Sequence, residues 1–171
     1  MAIHHSAIND EKPQFDRIKI YHNNGASGKW PKGYGIQYHA FIERTGERIT
    51  SYNIDHITWH SGSQEWNRKS FAVCLAGDFR YQQPTEAQLG SLFGIWKDQG
   101  YPVIVYHKDI RPEPTACPGN FPFVEELERR RMLSLQNDLR LAERALQRFE
   151  GTSRGNLLKR FIGRLRAILG L

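Results

Sequence analysis

The chain has 171 residues, of which 39% are hydrophobic and 25% are charged, and its formal net charge is +6. It is long enough for a domain with a sizeable core, and no apolar run is long enough to cross a bilayer, which argues against an integral membrane protein. The charge is uneven, since residues 1–124 carry 13 basic and 12 acidic groups whereas residues 125–171 carry 11 and 6. The nearly neutral first part argues against nucleic-acid binding.

The first half of the chain predicts strands, one helix and one loop. Phe15, Ile18 and Tyr21 have helical spacing, and residues 24–35 hold four glycines and one proline, which is typical of a loop. The predicted elements are a strand over 1–6, a helix over about 13–22, the loop over 24–35, and a hairpin of 36–43 and 47–52 around Thr45-Gly46.

The second half of the main domain alternates strands with a helix. Residues 70–76 are nearly all apolar, which predicts a strand buried on both faces. Thr85 and Gln88 have the spacing of a capping box, so a helix is predicted to begin there and continue to about residue 99. A strand over 102–106 then ends at His107. This alternation predicts an α/β layered domain.

The pattern changes from residue 123, and residues 123–171 are predicted to form a helical extension. One helix is expected over 125–149, packed on the domain or forming a helical dimer, and a second over 156–169. The second has a broad apolar stripe, and residues 151–171 carry five basic groups and no acidic one. Two interpretations stay open: a terminal helix docked on the domain, or a cationic amphipathic helix lying on an anionic membrane surface.

Two histidines and a cysteine could form a catalytic zinc site. Such a site needs three protein ligands and an open fourth position. His4 and His5 are adjacent on a predicted strand, so they point to opposite faces and at most one faces the site. Cys117 lies in a polar, proline-flanked loop about a hundred residues later, a poor place for a core residue, whereas Cys74 is expected in the core.

Several segments resemble the type 2 N-acetylmuramoyl-L-alanine amidases, a family that includes amidase-type phage lysozymes and peptidoglycan recognition proteins. The resemblance covers about residues 2–121. It rests on six blocks in the right order: Ile3 to Ala7, Gly35 to Gly46, Ile57 to Gly62, Asn67 to Gly77, Pro84 to Leu89, and His107 to Gly119. It implies a mixed central β-sheet flanked by helices, with residues 1–122 as the catalytic domain and residues 123–171 as the extension.

The resemblance also implies a role for individual residues. Zinc would be bound by His4, His107 and Cys117. Catalytic roles fall to Tyr38, which would steady the developing oxyanion, and to Thr115, while His60 and Asn67 would bind substrate. The implied activity is hydrolysis of the amide bond between N-acetylmuramic acid and L-Ala in peptidoglycan, and the presence of Cys117 and Tyr38 favours an active enzyme.

The expected biological role is that of a phage or prophage endolysin. No secretory signal is recognisable in the first residues, so synthesis in the bacterial cytoplasm and action at the cell wall are expected. Three alternatives stay open: a non-catalytic peptidoglycan-binding module, a membrane-active cationic protein that the domain targets to the wall, and a recycling amidase for soluble anhydro-muropeptides. The last is suggested by the nine residues between His107 and Cys117, where phage lysozymes usually have seven.

Overall fold

The computed structural model describes residues 1–26, 28, 32–33, 35–149 and 151–171. Residues 27, 29–31 and 34 of the predicted loop lie outside the described residues. The chain divides into two compact units, Met1–Phe121 and Pro122–Leu171, and each is described separately below.

The first unit contains five strands and four helices among its described residues. In chain order they are β1 (Ala2–His5), α1 (Phe15–Asn23), β2 (Ala40–Ile42), β3 (Arg48–Thr50), α2 (Gln64–Lys69), β4 (Ala72–Leu75), α3 (Glu86–Asp98), β5 (Val105–Tyr106) and α4 (His107–Ile110).

The five strands form one mixed sheet in the order β3-β2-β4-β1-β5. Only the β2–β3 pair is antiparallel, and the other three pairs are parallel. All four residues of β1 and of β4 are buried, as expected for central strands covered on both faces. The predicted α/β class, with a mixed central sheet flanked by helices, is confirmed.

The strand register determines which side chains share a face of the sheet. Phe41 pairs with Cys74, and Cys74 pairs with His4, so these three side chains lie in one row. Phe41 and Cys74 belong to a buried apolar cluster with Ile18 of α1, and Tyr38 packs against it. One face of the sheet therefore carries α1, part of the core and the His4 ring.

Helix α3 begins as the sequence predicts. Thr85 Oγ1 accepts a hydrogen bond from the Gln88 backbone N–H at 3.0 Å, and Gln88 Oε1 accepts one from the Thr85 N–H at 3.1 Å. Buried Gln88 also donates to the carbonyls of Ala76 and Ile42. The capping box thus joins the start of the helix to the sheet.

All five predicted strands are shorter in the structure than expected, and two short helices were not predicted. The last strand spans only Val105–Tyr106. The carbonyls of Pro102 and Val103, which were expected to pair with a neighbouring strand, accept hydrogen bonds from the Trp96 indole and the Met1 amino group. Strand β2 begins only at Ala40, since the Gln37 N–H donates to the His22 ring. Helices α2 and α4 have six and four residues, too few for a helical period to be visible in the sequence.

A buried carboxylate holds the start of α1. Glu43 is 5% exposed, and its two oxygens accept hydrogen bonds from the backbone N–H groups of Gln14 and Phe15 at 2.7–3.0 Å. Negative charge at this end also complements the helix dipole. We expect Glu43→Ala to lower the free energy of unfolding by about 2 kcal/mol, because buried donors lose their acceptor.

Urea denaturation followed by circular dichroism measures this effect. Glu47→Ala, an exposed glutamate on the same hairpin, is the matched control and should shift the free energy of unfolding by less than about 0.5 kcal/mol. Equal effects of the two substitutions would show that Glu43 does not support α1.

The second unit is a pair of helices, α5 (Phe123–Phe149) and α6 (Ser153–Leu169). Their shared core contains Leu139, Ala142, Ile162 and Leu165. Thr152 caps α6, since its hydroxyl accepts from the Gly155 N–H at 3.2 Å. Among the described residues, no helix is both long and apolar enough to cross a membrane.

Candidate metal centre

His4 and His107 lie side by side because of the register of β1 and β5. Ile3 pairs with Tyr106 in this parallel pair, so the next residues along the two strands are neighbours on the opposite face from Ile3. The ring centroids of His4 and His107 are 4.4 Å apart. Residues that are 103 positions apart in sequence thus meet on one face of the sheet.

Cys117 reaches the same place from the segment that follows α4. Its carbonyl accepts from the Lys108 N–H at 2.9 Å, and the Asn120 N–H donates to the Phe79 carbonyl at 3.1 Å. Gly119 allows this approach, because it has a φ of +96° and a Cβ there would lie 2.4 Å from the Phe79 carbonyl carbon. The Cys117–Pro118 peptide bond is cis.

Three potential ligand atoms lie within 4.8 Å of one another: one ring nitrogen of His4, one ring nitrogen of His107 and the sulfur of Cys117. Two imidazoles and one thiol are a donor set that suits Zn²⁺, and three protein ligands leave one coordination position open. The Cys117 sulfur also accepts a hydrogen bond from the His5 backbone N–H at 3.3 Å, which would stabilise a thiolate. The predicted ligands therefore come together in a geometry that fits zinc.

Burial controls the protonation of these groups. Burial, and then the neighbouring rings of His107 and His60, hold the pKa of His4 well below its usual value, so the ring is neutral and able to offer a lone pair. Burial raises the pKa of the Cys117 thiol to about 12. Binding a metal there would release a proton from the thiol.

Tyr38 lies beside the three candidate ligands. Its ring centroid is 5.1 Å from that of His4 and 5.2 Å from that of His22. Burial, and then the thiols of Cys74 and Cys117, raise the pKa of the Tyr38 phenol well above its usual value. The hydroxyl therefore keeps its proton at neutral pH and can act as a hydrogen-bond donor.

His60 contacts His4 directly. Its Nδ1 lies 3.0 Å from His4 Nε2, and its Nε2 lies 3.2 Å from the Ser70 hydroxyl. The ring is 5% exposed, so it is largely enclosed by protein. His60 was predicted to line the substrate groove, and the structure places it as a hydrogen-bond partner of a candidate ligand.

Asn67 and Thr115 use their side chains within the protein. The Asn67 Oδ1 atom accepts from the backbone N–H and the hydroxyl of Ser61, at 2.9 and 2.8 Å. Asn67 thus anchors the residue next to His60. The Thr115 hydroxyl accepts from the Cys117 N–H at 3.2 Å, which orders the turn that presents the sulfur. Their predicted roles in substrate binding and catalysis stay predictions.

His5 points to the opposite face of the sheet, as predicted for adjacent strand residues. Its Nδ1 accepts from the Phe79 N–H at 3.2 Å and lies 3.7 Å from Asp78 Oδ1. Burial lowers the pKa of His5 to about 4, although Asp78 opposes the shift. The structure thus selects His4 over His5 as the candidate ligand.

Two residues around the site had no signal in the sequence. Ser70 contacts His60, and His22 both packs against Tyr38 and accepts a hydrogen bond from the Gln37 N–H at 3.0 Å. His22 is buried, and its ring contact with Tyr38 could not be predicted from the sequence. His22 meets Tyr38 and Gln37 only because α1 packs beside the segment that precedes β2 in the folded chain.

A family model described as N-acetylmuramoyl-L-alanine amidase matches residues 1–120. Among curated protein sequences, none matches the chain significantly.

Solved structures share the fold. The N-acetylmuramoyl-L-alanine amidase LysC from Clostridium intestinale URNW is 28% identical, with a TM-score of 0.60 over 75% of this chain and 81% of that one. The endolysine amidase LysCS from the same organism is 28% identical, with a TM-score of 0.58 over 75% of this chain and 80% of that one. Drosophila PGRP-LB, at 23% identity, has a TM-score of 0.57 over 72% of this chain and 76% of that one, and supports the fold.

Proposed function

We propose that this chain, which belongs to the N-acetylmuramoyl-L-alanine amidase family, is a zinc-dependent enzyme that hydrolyses the amide bond between N-acetylmuramic acid and L-Ala in peptidoglycan. The observation that carries the proposal is the convergence of His4, His107 and Cys117 within 4.8 Å, with Tyr38 beside them. Residues 1–122 form the catalytic domain, and residues 123–171 form a helical extension.

The protein would hold one Zn²⁺ through His4, His107 and Cys117, and the ion would supply Lewis-acid chemistry that activates water and polarises the amide carbonyl. Hydrolysis joins the water oxygen to the lactyl carbonyl carbon, breaks the C–N bond, and releases the stem peptide with a free L-Ala amine.

Three groups of the chain support this reaction. The Tyr38 hydroxyl keeps its proton and donates a hydrogen bond to the oxygen that becomes negative as the carbonyl carbon turns tetrahedral. Thr115 orders the turn that presents Cys117. The His5 N–H stabilises the sulfur as a thiolate.

Digestion of defined peptidoglycan, followed by mass spectrometry, tests which bond is cut. The proposal requires stem peptides that begin with a free L-Ala amine and glycan strands that keep intact lactyl carboxyl groups. Products cut within the peptide or within the sugar chain would show a different activity. Intact peptidoglycan that binds the protein without cleavage would favour the non-catalytic module.

We further propose that the enzyme acts as an endolysin of a phage or prophage, produced in the bacterial cytoplasm and acting at the cell wall. The similarity to an endolysine amidase supports this role. The recycling amidase is the alternative, suggested by the nine residues between His107 and Cys117. A comparison of turnover on polymeric peptidoglycan and on soluble anhydro-muropeptides separates the two roles.

We also propose that α6 lies on an anionic membrane surface, because it has a row of exposed apolar side chains that α5 does not cover. Leu157, Phe161 and Ile168 are 66%, 47% and 57% exposed. Their spacing puts them on one side of the helix, with Arg160 and Arg164 alongside. Apolar side chains flanked by cations suit the boundary between acidic headgroups and acyl chains.

Vesicle co-sedimentation of the full chain tests the α6 surface. The double variant Leu157→Ser/Phe161→Ser should bind phosphatidylglycerol-containing vesicles about tenfold more weakly or worse, because it loses two exposed apolar side chains that the membrane would bury. The matched control, Leu133→Ser/Leu141→Ser, changes two exposed leucines of α5 and should bind like the parent chain. Equal losses for both variants, or equally strong binding to neutral phosphatidylcholine vesicles, would refute the proposal.

A further inference from the structure

A chain of hydrogen bonds runs from His4 to the last turn of α2. His4 Nε2 lies 3.0 Å from His60 Nδ1, and His60 Nε2 lies 3.2 Å from Ser70 Oγ. The Ser70 hydroxyl then donates to the Trp66 carbonyl at 2.7 Å. The chain ends on a main-chain group of the helix.

The direction of these bonds follows from the last one. A carbonyl oxygen can only accept, so the single hydroxyl proton of Ser70 points to Trp66. Ser70 Oγ must then accept from His60, which places the ring proton of His60 on Nε2. His60 Nδ1 is left with a lone pair and accepts from a proton on His4 Nε2.

The consequence appears at the other nitrogen of His4. With its one ring proton on Nε2, neutral His4 has a lone pair on Nδ1, the nitrogen that lies 3.9 Å from the Cys117 sulfur. The reverse direction would place the proton on Nδ1 and block metal binding there. We propose that Ser70 and His60 are positioning residues that hold His4 in the one tautomer able to bind zinc, an inference that rests on the proposed function.

The surroundings make this chain hard to replace by water. His4 is fully buried and His60 is 5% exposed, so bulk water does not reach their shared hydrogen bond. Helix α2 is itself fixed, because Ser63 caps its start and Asn67, within the helix, accepts hydrogen bonds from Ser61. The short helix, which the sequence did not predict, therefore supplies a fixed acceptor for the chain.

Histidine ¹⁵N NMR on the full-length, metal-free protein tests the proposal directly, because it reports which ring nitrogen carries the proton. In the parent chain both His4 and His60 should be protonated at Nε2. Ser70→Ala removes the hydroxyl that accepts from His60 and leaves only the contact of that ring with the Ser70 main chain, so both rings should show a larger share of the other tautomer. Zinc affinity, measured by competition with a chelator, should fall about tenfold, as for other groups that orient metal ligands.

Two further variants separate positioning from folding. Ser70→Thr keeps a hydroxyl and should restore the tautomers and most of the zinc affinity. Ser63→Ala removes the cap of the same helix without touching His60, so it should lower stability while leaving the tautomer of His4 unchanged.

The outcomes distinguish this inference from the proposed function. A parent chain that binds zinc and cleaves peptidoglycan, with unchanged tautomers and affinity in Ser70→Ala, would overturn the positioning role alone. The same holds if His4 in the parent chain carries its proton on Nδ1. A parent chain that binds no zinc at all would overturn the proposed function itself.

Discussion

Replacing Cys117 by alanine should abolish zinc binding at micromolar protein concentration and lower peptidoglycan hydrolysis by at least about 10³-fold. The substitution removes one of three ligand atoms that lie within 4.8 Å of one another. Metal catalysis supplies several kcal/mol of transition-state stabilisation, and each 1.36 kcal/mol is a factor of ten in rate. Metal analysis of the purified variant and release of soluble wall fragments measure the two losses.

Cys74 provides the matched control, since it is the other buried thiol and pairs with His4 in the β1–β4 register. Cys74→Ala should keep zinc at the stoichiometry of the parent chain. If Cys117→Ala still bound stoichiometric zinc and cleaved the wall, the assignment of the metal site would be wrong. Far-ultraviolet circular dichroism checks that each variant is folded.

Replacing Tyr38 by phenylalanine should lower kcat by about 10²–10³-fold while changing KM and zinc content little. The ring remains to pack on His4 and His22, so only the hydroxyl donor is lost. Losing one donor to a developing oxyanion costs about this much in other hydrolases. Steady-state kinetics on a soluble muropeptide substrate, together with metal analysis, gives all three quantities.

Tyr101→Phe is the control for the Tyr38 substitution. This tyrosine packs on Trp96 of α3, with ring centroids 4.9 Å apart, and is not among the three candidate metal ligands. Its variant should turn over substrate at the parent rate. An unchanged kcat in Tyr38→Phe would show that Tyr38 is a packing residue only.

The sequence predicts that the side chains of His4, His107 and Cys117 come together, because zinc chemistry limits the residue types that can bind the metal. His4, His107 and Cys117 are recognisable from their contexts, and the alternation of strands and helices predicts the layer that brings them together. The choice of His4 over His5 also follows in part from the period of two in a strand, which sends one of the two rings away from the site.

The surroundings of the ligands depend on contacts between distant segments and cannot be seen in the sequence. Ser70 touches His60 only because the short helix α2 ends beside β4, and a six-residue helix has no readable period. The sequence also does not show which part of the broad apolar stripe of α6 is buried. In the structure one side of the stripe packs on α5 and the other side is exposed. Residues Ile162 and Leu165 face α5, whereas Leu157 and Phe161 remain exposed.

The claim that this chain is a zinc amidase is tested most directly by removing and restoring the metal during digestion of defined peptidoglycan. The parent protein, stripped with a chelator and dialysed, should release no stem peptides with free L-Ala amines. Addition of one equivalent of Zn²⁺ should restore their release in the parent chain but not in Cys117→Ala. Release of the same products by the stripped protein, at the rate of the untreated protein, would contradict the account.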